Sequence, residues 1–174
     1  PHRAASPTTP PSPAMRTLAE PGELAASGRE VCVAIGVFDG VHLGHQQVIR
    51  ELVKEAKRQA SWAVAITFDR HPSAVVAPQN APLLLHSLPQ KLRAIAALGP
   101  DAAWVIRFDE EFSRRSGEQF TRRLARDFAP LRAVFVGAEF QFGHRRSGNV
   151  QLLERLGAEL GYAVHAVDSV VKEG

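Results

Sequence analysis

The chain has one cysteine, one methionine and no hydrophobic run long enough for a membrane. Cys32, set in an apolar run, excludes a disulfide within the chain and reads as a buried thiol, which fits a reducing, cytoplasmic compartment. A membrane helix needs roughly 18 or more consecutive apolar residues, which the sequence nowhere supplies, and its start lacks the apolar stretch of a signal peptide. Charge is also sparing. Twenty-one Lys and Arg against eighteen Asp and Glu leave a net +3, scattered rather than in runs, which argues against nucleic acid as a partner. Neither GxxxxGK[ST] nor G-x-G-x-x-G occurs, so a Walker loop and a dinucleotide fingerprint are both excluded, and no internal repeat is present.

What is there is an ordinary globular composition over 174 residues, 45% hydrophobic and 22% charged, with room for one sizeable core. The opening PHRAASPTTPPSPA has little to bury, and residues 1–30 are expected to form a disordered Pro/Ser/Thr-rich lead-in, with Met15 a candidate translation start. Residues 31–174 are expected to form the folded domain.

Five valine-rich runs follow: VCVAIGV (31–37), WAVAITF (62–68), AAWVIRF (102–108), RAVFVG (132–137) and YAVHAV (162–167). Short runs without alternation suit strands buried on both faces. Between them lie four helical patterns. Residues 45–60 put Val48, Ile49, Leu52, Val53 and Ala56 on one stripe, and 89–98 carry Leu92, Ile95 and Ala96 before Gly99. SGEQ at Ser116 to Gln119 resembles a capping box ahead of Phe120, Leu124 and Phe128, and a last helix from Asn149 ends at Gly161. Alternation of this kind predicts an α/β fold, a doubly wound parallel sheet of about five strands with helices on both faces. Ligands in such folds bind beyond the carboxyl ends of the strands.

The loop after the first run, GVFDGVHLGH, is the richest in chemistry. Gly36 and Gly40 bracket Phe38 and Asp39 and allow a sharp turn close to a ligand, while Gly44 and His45 open the helix. Free amides and the helix dipole there favour an anion, and His42 and His45, three apart, can face the same side. Two imidazoles beside a helix start suit a phosphate whose charge grows in a transition state. Plainer readings stay open: the pair is solvated, or satisfies the turn backbone, or binds zinc, although helical zinc pairs are usually i, i+4 and no third ligand lies near in sequence.

GVFDGVHLGH resembles the HxGH signature of the nucleotidylyltransferase superfamily. Its FDGVHLGH form, with TFDRHP (67–72), FDEEFSRRSGEQF (108–120) and VGAEFQFGHRRSGN (136–149) in order, resembles the FAD synthetase (FMN adenylyltransferase) module of bacterial bifunctional riboflavin kinase/FAD synthetases. The resemblance implies a Rossmann-like adenylyltransferase that joins the AMP of MgATP to FMN, giving FAD and pyrophosphate. It implies His42 and His45 as catalytic residues at the phosphates. Gly36, Phe38, Asp39, Gly40, Gly44, Gly137 and Glu139 would face the nucleotide, Asp39 with an equal claim as a turn residue. Asp69, Arg70, Pro72, Phe140 and Phe142 would face the flavin, and Arg145 and Arg146 would be phosphate contacts or a solvated pair. Arg70 stands where many relatives have proline, and Glu139 where they have Asp or Asn.

No resident metal is expected beyond the Mg2+ that accompanies ATP. ATP and FMN are the expected partners, with a C-terminal riboflavin kinase domain in the full-length chain. The family carries an SSTxxR-like phosphate motif after the fifth strand; this chain ends at SVVKEG, so a module truncated at its C-terminal end is expected. Two other readings follow from the same residues: a nucleotide- or flavin-binding module without catalysis, and an HxGH adenylyltransferase with a different acceptor.

Overall fold

The computed structural model describes residues 14–39, 43–81 and 86–168. Six strands, β1 (Arg16–Leu18), β2 (Val31–Ile35), β3 (Trp62–Phe68), β4 (Ala102–Ile106), β5 (Leu131–Gly137) and β6 (Ala163–Val167), form one sheet in the order β1-β4-β3-β2-β5-β6. Every neighbouring pair is parallel. β2 is apolar at every position because both of its faces are covered: all five of its residues are buried.

From β2 the chain steps outward through β3 to β4, then returns to place β5 on the other side of β2 and β6 beyond it. Long helices α1 (Leu43–Gln59) and α3 (Leu88–Ala96) make the first two crossovers, and α5 (Gly117–Asp127) and α6 (Val150–Leu160) the last two. Cys32, Ala34, Ala63, Ala65 and Ala133 pack with Val48, Ile49 and Leu52 of α1 and Ile95 of α3. Val33, Ile35, Val64, Ile66, Val134 and Val136 pack on the opposite face with Phe120 and Leu124 of α5 and Leu153 and Leu156 of α6. The fold is therefore the expected Rossmann-like, doubly wound α/β sandwich. Its topological switch point lies between β2 and β5.

Local signals set the helix ends. The Ser116 hydroxyl accepts the Gln119 N–H at 3.1 Å while the Gln119 side chain accepts the Ser116 N–H at 2.9 Å, a complete capping box. Ser87 and Gln90 repeat it at α3, and Asn149 Oδ1 caps α6 through the Leu152 N–H at 2.9 Å.

Three expectations need correction. The sheet has six strands rather than about five. The sixth is β1, inside the stretch read as a disordered lead-in: Arg16 to Leu18 pair with Ala102 to Trp104, a 3-10 turn follows over Pro21–Ser27, and Leu18 and Leu24 are buried in the core. Two core leucines in a polar context are enough to dock this segment, so the lead-in 1–30 does not hold as a single unit; residues 1–13 lie outside the described residues. Lastly, the runs 31–37 and 102–108 stop as strands at Ile35 and Ile106, because Val37 and Phe108 turn into the loops. Two four-residue helices, α2 (Ser73–Val76) and α4 (Glu110–Ser113), occupy the loops after β3 and β4 and touch each other.

Candidate functional site

A cavity of about 830 Å³ opens at the carboxyl ends of the central strands, a volume usual for a small-molecule site. Val37 after β2, Phe68 at the end of β3 and Phe108 after β4 form its floor, α2 and α4 one wall, and residues 140–146 after β5 the other. An aromatic chain runs along it. Ring centroids lie 5.7 Å apart from Phe68 to Phe108, 5.3 Å from Phe108 to Phe112, 5.8 Å from Phe112 to Phe120 and 5.7 Å from Phe120 to Phe142. Phe140 stacks on Phe142 at 5.4 Å and 15°. These two rings are half-buried: they pack on the core and line the cavity.

Close backbone approach holds that wall in place. A Cβ on Gly143, which has φ +80°, would collide with the Gly117 backbone at the start of α5. Ser147 Oγ accepts the Gly117 N–H at 2.9 Å, and Phe142 and Gly148 exchange backbone hydrogen bonds at 3.1 and 2.7 Å. Arg145 and Arg146 sit beyond Gly143 at φ 54° and 56°, left-handed conformations that cost arginine energy and cluster at binding loops.

Some basic groups of the chain are held in ion pairs, and some at the cavity mouth are not. Arg58 pairs with Glu55 at 2.7 Å, Arg122 with Glu159 at 2.9 Å and Arg132 with Glu30 at 2.9 Å. Arg115, Arg145 and Arg146, all on the cavity wall, have no acidic partner among the described residues, and Arg115 lies 5.5 Å from the centre of the Phe112 ring. Unpaired guanidinium groups beside an aromatic wall suit a ligand that has both a ring system and a phosphate.

On the other side, Gly36 ends the β2–β3 ladder by donating its N–H to Ile66 O at 3.1 Å. A side chain there would meet the Phe38 ring at 2.6 Å, so glycine is required by Phe38, which turns inward at φ 53°. Phe38 is 1% exposed, so its ring is a core plug rather than a nucleotide-facing surface. Its edge meets the His45 ring at 5.5 Å and 79°, which steadies a half-buried His45 in the first turn of α1. A Cβ on Gly44 would meet nothing within 4 Å. Asp39 acts on the backbone: its Oδ1 accepts the His86 N–H at 3.2 Å. Gly40 and His42 lie outside the described residues.

The expected flavin-side residues divide. Pro72 lines the cavity, whereas Asp69 Oδ1 accepts the Phe108 N–H at 2.9 Å and thereby ties the loop after β3 to the loop after β4. Arg70 stands 3.6 Å from Asp69 with its side chain about half exposed. His71 Nδ1 accepts the Ser73 N–H at 3.1 Å and closes the turn into α2. Gly137 ends β5 with its carbonyl accepting the Phe140 N–H at 3.0 Å, and Glu139 is exposed and off the cavity wall. Among the described residues no group of three His, Cys, Asp or Glu could hold a metal ion, and no helix is long and apolar enough to cross a membrane.

Sequence reasoning missed Phe112 and Arg115 on the wall, and Lys91 with Thr67 beneath it. Lys91 is 5% exposed and Thr67 fully buried. Burial pushes the Lys91 ammonium below the usual lysine value, and the carboxylates of Asp39 and Asp69 oppose that shift. A signal for it existed: Lys91 lies four residues before Ile95, on the apolar stripe of its helix.

Comparison with known proteins agrees with this arrangement. Residues 24–174 match the family model described as FAD synthetase. The bifunctional riboflavin kinase/FMN adenylyltransferase of Escherichia coli (strain K12) is 31% identical over 152 residues, 87% of this chain and 49% of the relative. That of Buchnera aphidicola subsp. Schizaphis graminum is 32% identical over 139 residues, 80% of this chain and 45% of the relative. The chain thus spans about half the length of these curated relatives. A Streptococcus pneumoniae structure named as a macrolide-efflux protein superposes with a TM-score of 0.74 at 19% identity, over 92% of this chain and 51% of its own, a likeness of fold alone. Matched over most of its length and from its second strand onward, the chain belongs to the FAD synthetase family.

Proposed function

We propose that this chain is the FMN adenylyltransferase module of a cytoplasmic bifunctional riboflavin kinase/FAD synthetase, with the kinase in the part of the protein that its relatives have and this chain does not span. The observation that carries the reading is the cavity beyond the strand ends, walled by aromatic rings and unpaired arginines, with Val37 on its floor leading into the loop toward the His45-bearing start of α1. Its substrates are MgATP, which brings the magnesium, and FMN.

Chemically, an oxygen of the FMN phosphate attacks the α-phosphorus of ATP. A new P–O bond forms, the bond to the β-phosphate oxygen breaks, and pyrophosphate leaves with its electron pair. No protein nucleophile is required, so the chain contributes alignment and charge stabilisation. His45 and His42 donate to phosphate oxygens as negative charge grows, beside the amides and dipole at the start of α1. Phe140 and Phe142 offer an apolar face to the isoalloxazine ring, and Arg115, Arg145 and Arg146 meet the phosphate that closes the mouth.

The test is FAD formation from FMN and MgATP by the full-length gene product, followed by chromatography. Removing one preorganised donor of this kind costs on the order of 10²-fold in kcat, so His45→Ala and His42→Ala should each fall by about that factor. A wild-type protein that makes no FAD overturns the activity, and unimpaired output from both variants overturns the assigned roles.

A further inference from the structure

We infer that Lys91 is a positioning residue for the proposed adenylyl transfer: its buried ammonium holds the loop on the nucleotide side and the loop on the acceptor side at one separation. The role rests on the reading above; the contacts do not. Lys91 Nζ donates to Val37 O at 2.9 Å, to Phe68 O at 2.9 Å and to Thr67 Oγ1 at 3.3 Å, using all three of its hydrogens. The Thr67 hydroxyl itself donates to Val37 O at 2.9 Å.

Two of these acceptors, the Val37 and Phe68 carbonyls, are backbone groups that leave the ladder where β2 and β3 part. The last bond between the two strands is from Gly36 N–H to Ile66 O, and Phe108 N–H, which follows β4, goes to the Asp69 side chain instead of a strand carbonyl. Buried carbonyls without a donor are costly, and the lysine satisfies both. Val37 leads into the turn toward His45, and Phe68 leads into Asp69 to Pro72 on the cavity side. The two nearby carboxylates extend the network. Asp39 fixes the His86 amide before α3, and Asp69 fixes the Phe108 amide after β4. The cation thus ties two segments at the carboxyl end of the sheet directly, and the carboxylates near it tie two more.

Burying an ammonium is expensive, and an apolar side chain of the same length would fill the space at less cost. What the cation adds is a fixed distance between two loops. In-line transfer depends on that distance, since a misplacement of about 1 Å can cost on the order of 10²-fold in rate.

The experiment uses the full-length protein with Lys91→Met, which keeps the stem and removes the charge, and Thr67→Val, which removes only the bridging hydroxyl. Readouts are steady-state kinetics with FMN and MgATP, thermal melting, and amide hydrogen exchange at His86 and Phe108. Lys91→Met should lower kcat by about 10- to 100-fold with both KM values within about threefold, the pattern of lost alignment rather than lost binding. Exchange at His86 and Phe108 should quicken, and Thr67→Val should shift each readout the same way by less. A folded Lys91→Met whose kcat stays within about twofold of wild type overturns the inference. So does a loss of activity carried by KM alone. If Lys91→Met fails to fold, Thr67→Val decides, and wild-type kcat in that variant overturns the role. Should the wild type make no FAD, the activity reading fails separately; unchanged exchange in the variants would then sink the interlock, and quickened exchange would uphold it.

Discussion

The two faces of the sheet are built from the same strands but with different side chains. Toward α1 and α3 the strands present Cys32, Ala34, Ala63, Ala65 and Ala133, with one large ring, Phe135, on β5; toward α5 and α6 they present Val33, Ile35, Val64, Ile66, Val134 and Val136, met by Phe120, Phe128 and Tyr162. Small residues let a 17-residue helix lie close, which puts His45 beside Phe38 and lets the Lys91 stem reach the strand ends. The large residues fill the other face with rings, and the rings continue past the strand ends as the cavity wall. The difference shows how one sheet carries two kinds of surroundings at its carboxyl end: close backbone and polar groups on one side, aromatic surface on the other.

Substitutions on the two faces probe that contrast. Phe128, 2% exposed and in edge contact with Trp104 at 5.6 Å, lies on the ring-filled face outside the cavity. Phe128→Ala should cost about 3–5 kcal/mol in urea denaturation, a large part of the about 5–15 kcal/mol that holds a typical domain folded. Ala65→Leu on the close-packed face should cost about 1–3 kcal/mol by overpacking against α1. A leucine accepted there without loss would mean that the face is not tightly packed, and the comparison would fail.

Tyr162 gives the smallest effect and a pH signature. Its hydroxyl donates to Leu153 O at 2.8 Å, and burial pushes its pKa from 10.0 up to about 12. The folded state holds the proton longer than the unfolded chain, so this contribution is complete below pH 10 and is lost as pH rises from about 10 to about 12. Tyr162→Phe should therefore lower stability by about 1 kcal/mol at neutral pH, and the gap to wild type should narrow in that alkaline window. A gap that stays constant from pH 8 to pH 11 would show that the phenol does not titrate differently on folding.

Much of the fold was legible because parallel strands buried on both faces must be apolar throughout, and because capping boxes signal through side chains three residues apart. Hence β2, β3, β5 and the boxes at α3 and α5 could be read from local pattern. β1 could not: two of its three residues are exposed, and pairing with Ala102 to Trp104, far along the chain, makes it a strand. The four-residue helices α2 and α4 are too short to show a period.

The site divided in the same way. The motif order predicted which loops meet, and Pro72, Phe140 and Phe142 do line the cavity. Phe38 turned inward through a left-handed backbone that neighbouring residues do not announce. Asp39 and Asp69 proved to be backbone ties, and Lys91 gained partners 23 to 54 residues away.

By itself the sequence determined the layered α/β architecture and the loops that carry chemistry, because those follow from periodicity and short-range spacing, and it marked the family through the resemblance of its motifs. Tertiary structure alone decided which polar side chains face the cavity and which hold the scaffold. That choice depends on which backbone groups lose their ladder partners where the strands part, and no local pattern records it.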